Sequence, residues 1–224
     1  MSRFHDTTKK FQLLTKILKR YKVFPSSIAC LWVNEHAWLS LFSESQSTRG
    51  VVEDKEALQQ MKEQYPNTKL YAHSLTSFRF PSTMQMMYAL QGQYEWLSTK
   101  KQREKVLQKC LDHLDPYGLL ILDLYTSKAF DEKHLWEQVM VTDDAVVITK
   151  QSYAKWVVTK HEISFVKAWD LYRREEHKTS QMLLSLVDIK KLFKWFESVE
   201  FVDKNGRKAN AKSKHVVVVA QKGR

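Results

Sequence analysis

The stretch His113-Leu-Asp-Pro-Tyr-Gly-Leu-Leu-Ile-Leu-Asp-Leu-Tyr-Thr126 decides the fold class of this chain. Its Asp-Pro-Tyr-Gly segment has the composition of a tight turn, in which proline presets the backbone and Gly118 can adopt a positive φ. The run from Leu119 to Leu122 is apolar without alternation, which is typical of a parallel strand buried on both faces. Apolar side chains at helical spacing precede the turn, between Glu104 and Leu114. We therefore predict a helix, a turn and a buried strand, which form half of a βαβ unit.

Helical and strand-like segments alternate along the chain before this stretch. Helical spacing of apolar side chains predicts helices at Phe11 to Val23, Glu35 to Phe42, Lys55 to Tyr65 and Tyr94 to Leu114. Short apolar runs predict strands at Ile28 to Val33, Thr48 to Glu53, Lys69 to Leu75 and Thr83 to Leu90. The alternation predicts an α/β fold with an open, mostly parallel sheet and helices on both faces. The first helix has a basic polar face, so it either packs on the domain or lies on a membrane surface.

The second half of the chain has a different pattern. Short segments rich in Val, Ile, Trp and Tyr predict antiparallel strands at Asp144 to Lys150, Tyr153 to Lys160, Glu162 to Val166 and Trp169 to Arg173. Thr179 and Ser180 are expected to cap a last helix centred on Leu186 to Phe196. A final strand pair is predicted at Phe201 to Asn205 and His215 to Ala220. We expect one domain over residues 1–224, with an antiparallel β insertion at 141–178.

Basic residues are concentrated at both ends of the chain. The sequence has 36 Lys and Arg against 25 Asp and Glu, a net charge of +11, and no acid follows Asp203. Such ends favour contact with a polyanion such as nucleic acid, with a plain solvated surface as the alternative. Aromatic residues lie among basic ones in the insertion, where they either stack on nucleic acid bases or form core: Tyr153, Trp156, Trp169 and Tyr172.

No membrane or secretory segment is expected. The chain lacks an apolar run of the roughly 18 residues that a membrane span needs, and its N-terminus lacks the apolar core of a signal peptide. Cys30 and Cys110 each lie inside an apolar pattern, which is typical of buried thiols in a reducing compartment. We therefore expect a cytoplasmic protein.

The layout resembles the class I methyltransferases that use S-adenosylmethionine. Residues Leu114 to Thr126 are similar to that family's "L-K-P-G-G-L-L-I-F-D-x-x-T" segment, and Leu90 to Leu97 is similar to its "F-N-S-L-N-Y-L" segment. The insertion followed by Lys178-Thr-Ser-Gln-Met182 is similar to small-molecule members, in which a β-rich insertion covers the substrate. The resemblance implies a Rossmann-like methyltransferase fold across almost the whole chain.

The chain departs from the family at the cofactor end. The family has a glycine-rich loop, "D-x-G-x-G-x-G", after its first strand, where glycine lets the backbone approach the cofactor closely. The matching stretch from Ala29 to Ala37 contains no glycine, and bulky Trp32 and Val33 are expected where the cofactor needs open backbone. We therefore predict a degenerate cofactor-binding loop.

The resemblance also implies particular site residues. Glu53, or Asp54 in a shifted register, would bind the ribose hydroxyls of S-adenosylmethionine, and Ser74 would stand where an acid often reads the adenine amine. Asn34 and Gln91 would complete the cofactor contacts.

The candidates for a general base are His36 and Tyr94, each with a packing or surface role as the alternative. No metal site is predicted, because neither His113-x-Asp nor the pair His161-Glu162 has a third ligand nearby.

Two functional hypotheses follow. In the first, the protein is methyltransferase-like, has lost or weakened S-adenosylmethionine binding, and acts as a pseudoenzyme that binds or scaffolds a partner. In the second, it is an active methyltransferase with a divergent cofactor loop that acts on a small molecule or RNA. Whether the chain is an enzyme stays open at this point, and its partners are a protein, a second copy in a homodimer, or nucleic acid.

Overall fold

A computed structural model of the chain describes residues 2–31, 33, 47–53, 55–90, 99–129, 136–169 and 171–224, without the side chains of 2–10 and 136. The four helices in these ranges are α1 (Ser2–Tyr21), α2 (Lys55–Gln64), α3 (Lys100–His113) and α4 (Leu186–Leu192). The eleven strands are β1 (Ser27–Cys30), β2 (Ser47–Val52), β3 (Lys69–Ala72), β4 (Met84–Ala89), β5 (Leu114–Tyr125), β6 (Trp136–Val141), β7 (Ala145–Ala154), β8 (Val157–Ala168), β9 (Leu171–Met182), β10 (Ser198–Val202) and β11 (His215–Gln221). The predicted helix from Glu35 to Phe42 lies outside the described residues.

Seven strands form the central sheet in the order β10-β11-β5-β4-β1-β2-β3. The strands β1 to β5 pair in parallel, and β11 runs antiparallel to both of its neighbours. The predicted α/β fold with a mostly parallel sheet is therefore confirmed. Each predicted strand of this sheet is present, with bounds that differ by a few residues.

Helices cover both faces of this sheet, as predicted. On one face, Val106 and Leu107 of α3 and Ile189 of α4 join the core with the even-numbered leucines of β5. On the other face, Leu14 of α1 and Met61 of α2 join the core with Leu119 and Ile121. The apolar stripe of α1 is thus buried against the sheet, so this helix packs on the domain and not on a membrane surface. No helix in the described ranges is long and apolar enough to cross a membrane.

The predicted turn from Asp115 to Gly118 is wrong, because these residues form the first part of β5, before its buried run. The positive φ, 62°, falls on Tyr117 and not on Gly118. Gly118 is needed for another reason, because a Cβ there would lie 2.9 Å from the carbonyl oxygen of Asp115 and 3.1 Å from that of Met84. Glycine is therefore required here for close backbone packing against β4, beside the irregular register between Met84 and Met86.

The insertion is a four-stranded antiparallel sheet in the order β6-β7-β8-β9. The antiparallel pairing agrees with the sequence pattern, but the strands are longer than predicted and run from residue 136 to 182. Glu162 to Val166 continues β8, and Trp169, with a φ of 60°, lies in the turn to β9 instead of in a strand. Lys155 and Trp156 both have positive φ in the two-residue connection from β7 to β8, as a type I′ hairpin turn requires.

The prediction that Thr179 and Ser180 cap the last helix is wrong. Both residues lie in β9, where they pair with Lys160 and Thr159 of β8, and this pairing engages their backbone. The cap is Ser185, whose hydroxyl accepts a hydrogen bond of 3.1 Å from the Asp188 backbone N–H. The final strand pair is confirmed, with Gly206 at a φ of 79° in the connection.

Both cysteines are free and buried in the core. Burial raises the pKa of Cys30 to about 12 and also raises that of Cys110, so neither thiol is a reactive nucleophile at neutral pH.

Candidate functional site

The carboxyl ends of β1, β2, β4 and β5 meet at one edge of the central sheet, where open α/β sheets bind ligands. Glu53 follows β2 directly and is exposed at this edge. Its Oε1 accepts a hydrogen bond of 3.0 Å from the Leu75 backbone N–H, which fixes the carboxylate between the ends of β2 and β3. Among the described residues this is the one hydrogen bond of the Glu53 side chain, so Oε2 can accept hydroxyl donors from a ligand.

Ser74 precedes Leu75, the residue that bonds Glu53, and its hydroxyl takes part in a local turn. Its Oγ lies 2.8 Å from Ser77 Oγ and 3.2 Å from Thr76 Oγ1, and its carbonyl accepts the backbone N–H of Ser77. These contacts order the segment after β3. They leave the Ser74 hydroxyl partly engaged, which makes it a weaker partner for a ligand than Glu53.

The chain after β1 continues toward the same edge beyond Cys30. Leu31 N–H donates to the Tyr88 carbonyl of β4, and Val33 N–H donates to the Val51 carbonyl of β2, both at 2.8 Å. The Val33 side chain is buried in the core with α1 and α2. The expected obstruction of a cofactor by Trp32 and Val33 stays a prediction.

Four of the predicted site residues lie outside the described residues: Asn34, His36, Gln91 and Tyr94. Trp32 and Asp54 lie outside them as well. Their roles stay predictions.

A second polar group at this edge was not predicted. Asp123 of β5 and His215 of β11 meet through Asp123 Oδ1 and His215 Nε2, with side chains 1% and 17% exposed. The His215 ring packs edge-on against Tyr125 at 5.3 Å between centroids. The signals in the sequence were a lone acid inside the apolar run of β5 and a histidine at the start of an apolar strand. Only the sheet register, which places His215 opposite Tyr125, brings them together.

A cavity of about 660 Å³ lies between α3 and α4. Leu184 in its wall forms a bridge with Thr126 at the end of β5, so the cavity is close to the same edge of the sheet. Arg103 lies in its wall, is 2% exposed and donates to the Met182 carbonyl. The volume is in the range of small-molecule sites. The lining residues are Lys100, Arg103, Glu104, Met182, Leu184, Asp188, Lys191, Leu192 and Lys194.

The described residues contain no group of three His, Cys, Asp or Glu that could hold a metal ion. His113 packs against the rings of Phe78 and Phe80 at 5.6 and 5.7 Å, and burial lowers its pKa. His161 lies 2.6 Å from Glu176, while its neighbour Glu162 pairs with Lys160. His161 therefore contacts the neighbouring strand β9, and Glu162 pairs within its own strand β8.

The basic ends of the chain lie near each other. A Cβ at Gly206, in the connection from β10 to β11, would lie 3.3 Å from Leu13 of α1, and Arg20 of α1 pairs with Glu200 of β10 at 2.8 Å. The exposed basic residues of these two segments are Lys16, Lys19, Arg20, Lys22, Lys204, Arg207 and Lys208.

Three aromatic residues of the insertion are exposed and not part of a core. Trp169, in the turn from β8 to β9, is 94% exposed, and Trp156 and Tyr172 are each exposed over more than half of their surface. They are thus available for contact with another molecule.

Comparison with known proteins assigns the fold. No family model matches the chain, and no curated protein matches it. Among solved structures it is similar to an S-adenosylmethionine-dependent methyltransferase from Clostridium acetobutylicum ATCC 824, with a TM-score of 0.81, 11% identity, and coverage of 97% of this chain and 92% of that chain. It is also similar to the sugar N-methyltransferase KedS8 from Streptoalloteichus sp. ATCC 53650, with a TM-score of 0.77, 12% identity, and coverage of 99% and 90%.

A third similar structure is SAM-bound CalS10, an amino pentose methyltransferase from Micromonospora echinaspora, with a TM-score of 0.72, 14% identity, and coverage of 95% and 90%. At these identities the likeness shows the fold alone. The chain has the Rossmann-like fold of class I S-adenosylmethionine-dependent methyltransferases, with an added antiparallel sheet.

Proposed function

We propose that this protein binds S-adenosylmethionine at the carboxyl edge of its central sheet and transfers the methyl group to a small molecule. The observation that carries the proposal is the carboxylate of the exposed residue Glu53, which the Leu75 N–H holds at the end of β2 through Oε1. Two neighbouring ribose hydroxyls are donors that a carboxylate of this kind accepts well. The similar structures that act on an amino pentose or a sugar support a small-molecule acceptor.

The residues at this edge fit the adenosine half of the cofactor better than its methionine half. Glu53 would hold the ribose, and Ser74 would face the adenine as a weak partner. The stretch from Ala29 to Ala37 has no glycine, so the close backbone approach that glycine allows is missing there. S-adenosylmethionine supplies an activated methyl group, and the protein's part in the reaction is to align an acceptor with it.

Calorimetry with S-adenosylmethionine and S-adenosylhomocysteine tests this proposal. We expect wild-type protein to bind both and Glu53→Gln to bind about 10- to 100-fold more weakly, because a hydrogen bond to a charged group contributes about 1.5–3 kcal/mol. Glu63→Gln is the matched control, since Glu63 is exposed on α2 and bonds Gln59. Absence of heat and of competition at millimolar ligand would contradict the proposal.

The second candidate function is that of a pseudoenzyme, and the missing glycines favour it. In this case the methyltransferase fold has lost or weakened its cofactor site and binds or scaffolds a partner. The same calorimetry separates the two candidates. Micromolar binding that depends on Glu53 supports the enzyme, and no binding supports the pseudoenzyme.

For either function we propose a homodimer formed through the outer face of the antiparallel sheet. The opposite face carries the buried residues of this sheet, Thr149, Val158 and Gln181. On the outer face two cross-strand rows of apolar side chains reach solvent: Val139-Ile148-Ile163 and Val141-Val146-Phe165. Apolar rows of this kind, exposed in a monomer, are typical of protein contact surfaces.

A second copy of the chain suits this face in charge and size. Several of its charged side chains are paired within the sheet, as in Glu137 with Lys150 at 3.1 Å and His161 with Glu176, which reduces the need for a charged partner. Four strands spaced about 4.8 Å apart, with a mean length of about ten residues, give a face of roughly 650 Å². A standard interface buries about 800 Å² per partner.

Sedimentation analysis tests the homodimer. We expect wild-type protein to sediment as a dimer at micromolar concentration and Val141→Lys to sediment as a monomer, since it introduces a charge into an apolar row. Gln138→Lys, on the same strand but the opposite face, is the control and is expected to stay a dimer. A monomeric wild-type protein would rule out this interface.

Nucleic acid is the alternative partner, through the adjacent basic segments of α1 and the connection from β10 to β11. A generic RNA titrated at two salt concentrations tests it, because phosphate contacts lose affinity steeply as salt rises. Absent or salt-independent binding would remove this partner. The buried free thiols Cys30 and Cys110 favour a reducing location such as the cytoplasm, and we propose a single domain over residues 1–224.

A further inference from the structure

The contact between Asp123 and His215 lies on a different part of the carboxyl edge from Glu53. Asp123 is two residues before the end of β5, and His215 is the first residue of the antiparallel β11. The buried carboxylate accepts a hydrogen bond from the imidazole through Nε2. The pair therefore lies where two neighbouring strands open toward the ligand side of the sheet.

The other imidazole nitrogen, His215 Nδ1, is buried and has no hydrogen-bond partner among the residues that the structure describes. Buried polar atoms in folded proteins nearly always have a partner, so an unsatisfied one calls for an explanation. Nε2 carries the hydrogen that it donates to Asp123, so in the neutral ring Nδ1 bears the free lone pair. The arrangement leaves a base without a proton at the edge of the sheet.

The position of this pair agrees with the acceptor end of a methyl-transfer site. From β2, which ends next to Glu53, to β11, which begins at His215, there are four strand steps across β1, β4 and β5. At about 4.8 Å per step the ends of these strands are about 19 Å apart. Glu53 and His215 are thus separated enough to contact opposite ends of a bound cofactor and acceptor.

We propose that His215 accepts the proton of the methyl acceptor and that Asp123 is the positioning residue for its ring; this inference rests on the proposed methyltransferase function. The acceptor's amine or hydroxyl forms a bond to the methyl carbon, and the carbon–sulfur bond breaks with its electron pair left on sulfur. The acceptor's proton moves to His215 Nδ1. The imidazolium so formed stays paired with the Asp123 carboxylate, which keeps the positive charge next to a negative one.

The protonation state of His215 is the first test and needs no ligand. Protein labelled with ¹⁵N-histidine is examined by long-range ¹H–¹⁵N NMR at pH 7.5, with the His215 signals assigned by their loss in His215→Gln. We expect a neutral ring with the proton on Nε2 and none on Nδ1. A proton on Nδ1, in either the other tautomer or the imidazolium, would overturn the proposal.

Binding and transfer measurements separate this inference from the proposed function. If wild-type protein fails to bind S-adenosylhomocysteine, the methyltransferase function fails, and this inference fails with it. If wild-type protein and His215→Gln bind S-adenosylhomocysteine within twofold of each other, the function stands and the role of His215 is decided by transfer. The transfer assay uses labelled S-adenosylmethionine with D-glucosamine and D-galactosamine as the acceptors.

In that assay we expect His215→Gln to lower kcat by tenfold or more, with the KM for S-adenosylmethionine unchanged. His215→Ala should regain activity when imidazole is added, since a free base can replace the missing one. His177→Gln, at an exposed histidine of β9, is the matched control. A kcat within tenfold of wild type for His215→Gln would overturn the role. If that variant does not fold, His215→Ala takes its place in the assignment of the NMR signals and in the transfer assay.

Discussion

Replacing Gly118 by alanine should destabilise the protein through a clash of the new methyl group with two backbone carbonyls. The alanine Cβ would lie 2.9 Å from the Asp115 oxygen and 3.1 Å from the Met84 oxygen, both shorter than ordinary carbon–oxygen contacts. Both oxygens belong to the main chain, so neither can rotate away as a side chain could. The strain must therefore move β4 relative to β5 at the irregular register between Met84 and Met86.

The size of the effect follows from this geometry. Forcing an extra methyl group into a packed site costs about 1–3 kcal/mol. For a chain of 150–250 residues, each kcal/mol lowers the melting temperature by about 2–4 °C. For a cost of about 2 kcal/mol, we therefore expect Gly118→Ala to melt about 4–8 °C below wild type.

Thermal unfolding followed by far-UV circular dichroism measures the change, and urea unfolding checks it independently. Tyr117→Gly is the matched control one residue away. Glycine adopts the positive φ at this position without steric cost, and the Tyr117 side chain that is lost is already more than half exposed. We expect this control to be as stable as wild type or up to about 1 kcal/mol more stable. A melting temperature for Gly118→Ala within 1 °C of wild type would refute the close approach.

Three further changes test other parts of the structure. Lys222→Met should lower the free energy of unfolding by about 1–3 kcal/mol in urea titrations. The Lys222 ammonium donates to the Leu111 and Leu114 carbonyls at the end of α3, at 2.7 and 2.6 Å. An unchanged urea midpoint would contradict that role. Lys155→Asn should raise the free energy of unfolding by up to about 1 kcal/mol, and with it the melting temperature, because asparagine tolerates positive φ in a type I′ turn better than lysine. A lower melting temperature would count against this turn. Burial lowers the pKa of His113 in the folded state, so the folded protein binds fewer protons there than the unfolded chain. The free energy of unfolding therefore falls as pH drops below about 6.5. His113→Phe should remove that part of the pH dependence, and an identical stability profile from pH 5 to 7 in both proteins would disprove the assignment.

Several features of the fold were predictable because they depend on residues close in sequence. The apolar run of β5 is buried on both faces as its lack of alternation predicts, and the stripe of α1 is buried as its spacing predicts. Errors arose where a local signal competed with pairing at a distance. Thr179 and Ser180 have the chemistry of a helix cap, yet the hydrogen bonds with Lys160 and Thr159 keep them in a strand.

The site was only partly predictable for the same reason. Glu53 was implied as a ribose ligand by the family resemblance, and the structure shows it at the end of β2, where it bonds Leu75. The pair of Asp123 and His215 could not be predicted, because 92 residues separate its members. Sequence periodicity does not indicate that β11 will pair with β5, because it describes only neighbouring residues.

The amino-acid sequence by itself determined the alternation of helices and strands, and with it a mostly parallel sheet whose carboxyl edge receives Glu53. That is possible because helical and strand periodicity are properties of neighbouring residues. The tertiary structure alone decided why Gly118 must be glycine, and which acid meets which histidine at the ligand edge. Both depend on the register between strands far apart in the chain, which is fixed by packing and backbone pairing across the whole sheet.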